Sequence, residues 1–576
     1  MSSSVLASES VMSRENIIKL AYLQFHTADP TTAVPTTTVP TTTVPTTVPT
    51  PVPTPVPTPF PNNPEFTFGI MQLKIADTPI ITQNQVLDTS NDISGSMSEY
   101  CLDGSSKMNH AIHTLKNIIT SISNNTSASV TMATYGFDDK IETIFEDTLI
   151  TKDNVVELRN TLGNLLPRNN TDLYQSIEMQ KERAEQRRAI NPSIKQTNIT
   201  LTDGQTNAGT STDYNDISKQ VPERCTNIFI GFGGDHNAIG LQQLADAQPN
   251  GSYFYVAEIE KAGLVFGEVL HALYYTALTD ITIELTDAEI YDYKTNTWSS
   301  RLLVPSIVSE ATKTYHIRSA TPNQACATIS ACSAIHGELE PTLIEDYVVP
   351  IPALRQQDNS LILIDLSVYM LRQRTQELMY NAHKHSIETP YNQEQGQIIK
   401  NDMRNHLKFM QTYAKENGME SDDILAALIG DMMVILKTFG GRRAAMYTAV
   451  RSGSQGRQTS NTVNYIAPED IVGGGGGGGI GRGGGGAPRP LRRQIAVNYP
   501  RRNNGYAEDD EEEEEEDQLD DDISSSILPP QLSRTNTTSK QIAIMREVSS
   551  GGGYMAELDV TPPIPPPVEE VESDTI

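Results

Sequence analysis

The chain has 576 residues, of which 37% are hydrophobic and 20% charged, and a formal net charge of -29. That length has room for two or three domains, the low apolar fraction predicts unfolded segments, and the acidic balance argues against general affinity for nucleic acid. Four cysteines, Cys101, Cys225, Cys326 and Cys332, include no Cys-x-x-Cys pair. That pattern excludes a zinc knuckle and a dithiol redox motif, and scattered thiols fit a reducing compartment. The N-terminus lacks a basic start followed by an apolar core, and no run of about 18 apolar residues occurs, so the sequence predicts an intracellular, cytoplasmic chain without a membrane span.

In chain order, residues 1–30 hold one short amphipathic stretch around Ile17–Leu23, read as about two turns of helix. Residues 31–63 are a Pro/Thr/Val repeat, predicted to be an extended, polyproline-like spacer, with a docking site for proline-binding modules or an O-glycosylated stalk as the alternatives. From 64 to 276 short β-like runs alternate with helical patterns: strands near Phe66–Ile75, Ala128–Tyr135, Thr197–Thr202, Asn227–Gly231 and Tyr253–Val256, and helices over Lys107–Ile122, Val155–Leu166, Leu173–Ala184, Ala238–Ala247 and Ala262–Tyr275. This alternation predicts an α/β, doubly wound, mostly parallel sheet, whose ligands sit outside the carboxyl ends of the strands. Residues 277–356 read as a small antiparallel β-rich unit and 357–451 as a helical region. Residues 452–576 are predicted to be a disordered tail: two glycine runs, an arginine-bearing segment, ten consecutive carboxylates over Glu508–Asp517 and a closing proline run.

Three segments carry the chemistry. Asp92-Ile93-Ser94-Gly95-Ser96 sets a carboxylate and two hydroxyls at alternate positions of one loop, an oxygen-only cluster of the kind hard cations prefer. Asn169-Asn170-Thr171-Asp172 opens a helical pattern, and Thr200-Leu201-Thr202-Asp203-Gly204 ends a β-like run. In this order the three resemble the metal-ion-dependent adhesion site of a von Willebrand factor A (VWA) domain, and the region after it resembles that of the intracellular multi-module members of the family.

The resemblance implies that Ser94, Ser96 and Thr171 hold Mg²⁺ or Mn²⁺ directly, with Asp92 and Asp203 acting through water. Neutral hydroxyls leave such an ion under-neutralised, so it takes one more ligand, a carboxylate from a partner protein. The function implied is binding by an intracellular adaptor or scaffold, not catalysis. The alternative is a structural component of a larger assembly, such as a large virus particle, with an architectural fold and no functional metal. A ubiquitin-ligase role is discounted because four unclustered cysteines cannot build a RING module.

Two departures from the family pattern stand out. Thr89-Ser90-Asn91 precedes Asp92 where an apolar strand is expected, which reads as a polar insertion and leaves Asp88 as a rival to Asp92, with Asp92 preferred. Asparagines replace the glycines before Thr171, and asparagine is the next most tolerant residue of positive φ. His383, His385 and His406 read as surface residues rather than a zinc site, because i, i+2 histidines do not share a helix face.

Overall fold

Two strands precede the α/β unit in sequence but belong to a different sheet: β1 (Ile18–Thr27) and β2 (Thr67–Ile75). The first corrects the helix expected near residue 17. Leu23 and Phe25 face one apolar core while Tyr22 and Gln24 are buried on the opposite side. That two-faced burial suits a central strand, and β1 pairs antiparallel with β2 on one side. A short apolar run satisfies helix and strand templates alike, and here the neighbouring strands decide. The α/β unit therefore begins at Gln85 rather than at residue 64, and the β-rich unit recruits both strands from before it.

The computed structural model describes residues 17–27, 65–82, 84–100, 105–203, 205–233, 236–256, 262–335, 337–338, 342–350, 366–458 and 538–549. The proline-rich linker of 31–63, the glycine runs, the arginine segment, the acidic block and the final proline run lie outside these residues. Among the described residues no helix is long and apolar enough to cross a membrane.

The α/β unit runs β3 (Gln85–Asp92), α1 (Lys107–Asn124), β4 (Val130–Phe137), β5 (Ile141–Leu149), α2 (Val155–Leu162), α3 (Leu173–Ile190), β6 (Lys195–Thr202), α4 (Tyr214–Ser218), β7 (Thr226–Phe232), α5 (Ala238–Asp246), β8 (Gly251–Val256) and α6 (Ala262–Tyr275). The sheet order is β5-β4-β3-β6-β7-β8, parallel except for the antiparallel edge strand β5. Chain direction across the sheet reverses between β3 and β6, which makes their carboxyl ends the switch point of the fold. Leu115, Ile119 and Phe266 pack one face of the sheet, and Ile177, Leu241 and Phe229 the other.

All eight residues of β3 are buried. Thr89-Ser90-Asn91 is thus not an insertion but the middle of a continuous strand, in register with Thr134-Tyr135-Gly136 of β4. Its polar atoms are satisfied inside the protein: Thr89 Oγ1 donates to Thr134 Oγ1 (3.0 Å), Ser90 Oγ meets Ser176 Oγ (2.6 Å), and Asn91 Nδ2 donates to the Tyr135 carbonyl (3.1 Å). Buried polar groups are tolerated when paired in this way. Asp88 belongs to the same network, since Arg187 of α3 donates to its Oδ2 at 2.7 Å.

The β-rich unit continues through β9 (Thr276–Thr286), β10 (Glu289–Asp292), β11 (Thr297–Ser299), β12 (Arg301–Val304), β13 (Ile307–Val308), β14 (Thr312–Ser319), β15 (Cys326–Ser333), β16 (Gly337–Glu338) and β17 (Thr342–Pro350). With β1 and β2 these strands form one ladder, ordered β11-β10-β14-β2-β1-β17-β15-β9-β12, whose two halves share a core of Leu23, Met71, Ile283, Ile317 and Ile329. The unit is not wholly antiparallel, because β1 and β17 run parallel.

The helical region comprises α7 (Ser367–Glu388), α8 (Gln393–Glu416), α9 (Asp423–Thr438) and α10 (Ala444–Arg457). Its last helix runs past the expected limit of 451 and packs against α5 and β8. His385 and His406 are buried, not at the surface: His385 stacks on Phe439 and His406 bonds Thr375.

A final helix, α11 (Ser539–Ser549), lies within the tail expected to be unstructured. It docks on α6 and α1 by burying Gln541, Met545 and Val548, at i, i+4 and i+7. Gly267 permits the approach, since a β-carbon there would lie 2.6 Å from Met545 Cα.

The Asp88–Arg187 pair yields a stability prediction. Burial raises the Asp88 pKa, and the Arg187 charge opposes that rise. Asp88→Ala leaves Arg187 buried with only the half-exposed Asp147 as counter-ion, and one-sided loss of a buried pair costs about 3–5 kcal/mol. Urea denaturation of the full chain should show a loss of that size. A loss under about 1 kcal/mol would mean that the pair does not hold α3 to β3.

Candidate functional site

Backbone register sets the site before any side chain is considered. Asn91 of β3 lies opposite Leu201 of β6, so the next steps along the two parallel strands place Asp92 beside Thr202 and Asp203 just beyond. Both carboxylates therefore reach the carboxyl rim at the switch point. Asp88 lies four residues back, about 13 Å down the strand at the usual rise, and is held by Arg187. It lies away from the rim, at which Asp92 sits.

At the rim Asp92 is locked in place. Its Oδ1 accepts from the Ser94 amide (2.8 Å) and its Oδ2 from Thr202 Oγ1 (2.6 Å). Burial, with a smaller contribution from the nearby Asp203 charge, pushes its pKa up to about 6 despite these hydrogen bonds. Ser94 starts a short 3₁₀ turn, Gly95–Ser98. The tight turn sets the hydroxyls of Ser94 and Ser96 3.1 Å apart, and Ser96 Oγ donates to Asp203 Oδ1 at 2.7 Å. Ser94, Ser96 and Asp203 thus form one hydrogen-bonded chain, to which Asp92 is joined through the Ser94 amide.

Thr171 reaches the rim on the adjoining loop. Gly95 N donates to the Asn169 carbonyl (3.2 Å) and Arg168 N to the Ile93 carbonyl (2.7 Å), which latches the two loops together. Asn169 adopts φ 59°, the left-handed turn expected of an asparagine here, and its side-chain amide donates to Asp138 and Asp139. Thr171 itself is buried and fixed through its backbone: its amide donates to Asn207 Oδ1 (2.9 Å), and its carbonyl accepts from Asn207 N and Ala208 N. Asp172 then caps α3 by accepting from Gln175 N. Gly209, at φ +95°, packs where a β-carbon would lie 2.1 Å from the Asp172 carboxyl.

The sequence reading missed two participants. Lys107, the first residue of α1, donates to Asp203 Oδ2 (2.7 Å) and to Glu99 Oε2 (2.8 Å). A signal for it was present: a cation in the first turn of a helix opposes the helix dipole, so a nearby anion is needed to hold it there. Thr202, adjacent to the motif aspartate, was also overlooked as the partner of Asp92.

The donor set suits a hard cation. Among the described residues no group of three or more His, Cys, Asp or Glu side chains is placed to hold a metal. The rim instead offers hydroxyls and carboxylates. Adjacent oxygens around an octahedral Mg²⁺ lie about 2.9 Å apart, given metal–oxygen distances of about 2.0–2.1 Å, and the Ser94–Ser96 separation of 3.1 Å is close to this.

No family model matches the chain, and no curated protein does. Solved structures do. The chain is similar to a von Willebrand factor type A protein from Catenulispora acidiphila, with 14% identity and a TM-score of 0.44 over 64% of this chain and 85% of that one. It is similar to the ArnB paralog VWA2 from Sulfolobus acidocaldarius, with 15% identity and a TM-score of 0.41 over 68% and 94%. A third similar structure is proximal thread matrix protein 1 from the mussel byssus with a zinc-occupied MIDAS motif, at 16% identity and a TM-score of 0.27 over 37% and 50%. The strand order with its antiparallel edge, and the three motif segments meeting at the switch point between β3 and β6, give the unit from Gln85 to Tyr275 a doubly wound α/β fold.

Proposed function

We propose that this rim is a metal-dependent protein-binding site in an intracellular adaptor or scaffold. The observation that carries the reading is the chain of Ser94, Ser96 and Asp203 oxygens assembled from two distant segments at the switch point. Ser94, Ser96 and Thr171 would hold Mg²⁺ or Mn²⁺, with Asp92 and Asp203 supplying charge around it. Bound there, the ion offers Lewis acidity to a carboxylate of a partner protein. The chain's own groups do the rest: Thr202 and the Ser94 amide fix Asp92, the Asn207 side chain fixes the Thr171 loop, and burial of Asp92 and Asp203 keeps bulk water from their inner oxygens. No nucleophile–base pair is part of the arrangement, so the role proposed is binding. Cys225 and Cys326 are unbridged thiols, in keeping with a reducing compartment.

Lys107 favours a second reading. Its ammonium already neutralises one oxygen of Asp203, so the rim is electrostatically satisfied by the chain itself. Under that reading the fold is architectural and serves a larger assembly without metal.

Metal titration separates the two. Mg²⁺ or Mn²⁺ added to the full chain should give calorimetric binding in the micromolar to millimolar range, and Lys107→Met should tighten it about tenfold by removing the competing cation. Asp203→Ala should abolish it. Absence of heat with both wild type and Lys107→Met, in folded protein, favours the architectural reading.

Partner binding gives an independent check. Once a partner is captured in a chelator-sensitive pull-down, Ser94→Ala, Thr171→Ala and Asp203→Ala should each weaken its binding at least tenfold while the chain still unfolds cooperatively on heating. Retention of the partner by all three would contradict a metal-bridged contact.

A further inference from the structure

A cavity of about 610 Å³ lies where the α/β unit, the β-rich unit and the helical region meet, lined by none of the rim residues. Its size is that of pockets for small organic ligands, which run about 300–1,000 Å³. Ile228 and Phe254 at β7 and β8 form one wall, the β14 segment from Lys313 to His316 a second, and Arg372 of α7 with Arg457 and Gln458 at the end of α10 a third. Arg301 and Leu303, both exposed, mark the mouth.

The charges around it are out of balance. Five cationic side chains line the cavity against three carboxylates, Asp246, Glu268 and Asp292. Asp246 is already engaged by Lys294, and Asp292 closes its own turn by accepting from Lys294 N and Thr295 Oγ1. The three innermost cations spend their hydrogen bonds on neutral carbonyls. Lys313 donates to the Arg457 and Gln458 carbonyls (2.7 and 3.0 Å), Arg372 to those of Thr314 and Gln455, and Arg457 to that of Tyr253 (3.4 Å). Among the described residues none of the three has a carboxylate within ion-pair distance. The Nε atoms of Arg372 and Arg457 and the Nε2 atom of His316 are buried without a hydrogen-bond partner.

Burial lowers the Lys313 pKa to about 8; Glu268 opposes that fall, while Arg372 and Arg457 add to it. Burial likewise lowers the Arg372 pKa to about 10. Three cations gathered with so little counter-charge are costly unless an anion joins them. Arg372 itself is 95% buried, leaving 5% of its surface accessible.

We propose that this cavity is a binding site for a small organic phosphate, its phosphoryl group held by Lys313, Arg372 and Arg457 and its body lying against Phe254, Tyr293 and Tyr315. Guanidinium forks and an ammonium together match a phosphoryl group with several acceptor oxygens. The aromatic walls suit a planar body, and Arg457 already stacks over Phe254 at 5.0 Å.

The test uses the full chain with phenyl phosphate as the probe and inorganic phosphate and benzoate beside it, in calorimetry and thermal unfolding with chelator present. Phenyl phosphate should bind and raise Tm by mass action, more tightly than either fragment. Arg372→Gln and Lys313→Gln should each weaken binding at least tenfold and remove the rise in Tm, and Asp203→Ala at the rim should leave both intact. Should Arg372→Gln fail to fold, Lys313→Gln and Arg457→Gln carry the same comparison. The proposal is overturned if phenyl phosphate gives neither heat nor a Tm shift at millimolar concentration, or if the cavity variants bind it as wild type does. Tighter binding of benzoate than of phenyl phosphate would equally overturn the phosphate assignment.

Discussion

The parallel register of β3 against β6 is the constraint on which the rim depends. A shift of one residue would turn Asp92 and Asp203 to opposite faces or levels, because side-chain direction alternates at every step. The register is held from both sides of the sheet. Leu87 packs with α1 on one face, while Asp88 is anchored to α3 on the other. The polar middle of β3 adds specificity, because each of its hydroxyls and amides has a partner only in this alignment. A strand built from Asp-Thr-Ser-Asn would be a poor core element if it slipped, since every displaced group would then be buried without a hydrogen bond.

This explains what was legible in the sequence and what was not. The alternation of strands and helices gave the α/β class, and the order of the three motif segments gave the rim, because both depend on local pattern and chain order. The β3 strand was misread because burial normally implies apolar residues; its partners, Thr134, Ser176, Tyr135 and Arg187, lie 44 to 99 residues away. β1 was misread because seven apolar-rich residues fit either period, and its partners β2 and β17 lie across the linker and more than 300 residues on. The helix at Ser539–Ser549 was hidden by the composition of the tail around it, although Met545 and Val548 keep helical spacing with Gln541. Lys107 at the start of a helix signalled the need for an anion, but distance hid which one, since Asp203 lies 96 residues later.

The two sites read from the structure have opposite electrostatic character. At the rim the buried carboxylates of Asp92 and Asp203 stand with one ammonium, that of Lys107, which bonds Asp203 and the exposed Glu99, leaving an excess of negative charge for a cation to meet. In the cavity, arginine and lysine side chains face neutral carbonyls, leaving an excess of positive charge. Both border the α/β sheet: Asp203 follows β6, and β7 and β8 beyond it form the cavity wall.

The central claim is that the rim holds a divalent cation in place of Lys107. Its most direct measurement is an anomalous difference map, at a wavelength chosen for manganese, from crystals of the full chain grown with Mn²⁺. The account predicts a peak at metal–ligand distance from the hydroxyl oxygens of Ser94 and Ser96, with the Lys107 ammonium moved away from Asp203. A map without a peak at the rim, and with Lys107 still on Asp203, would contradict it.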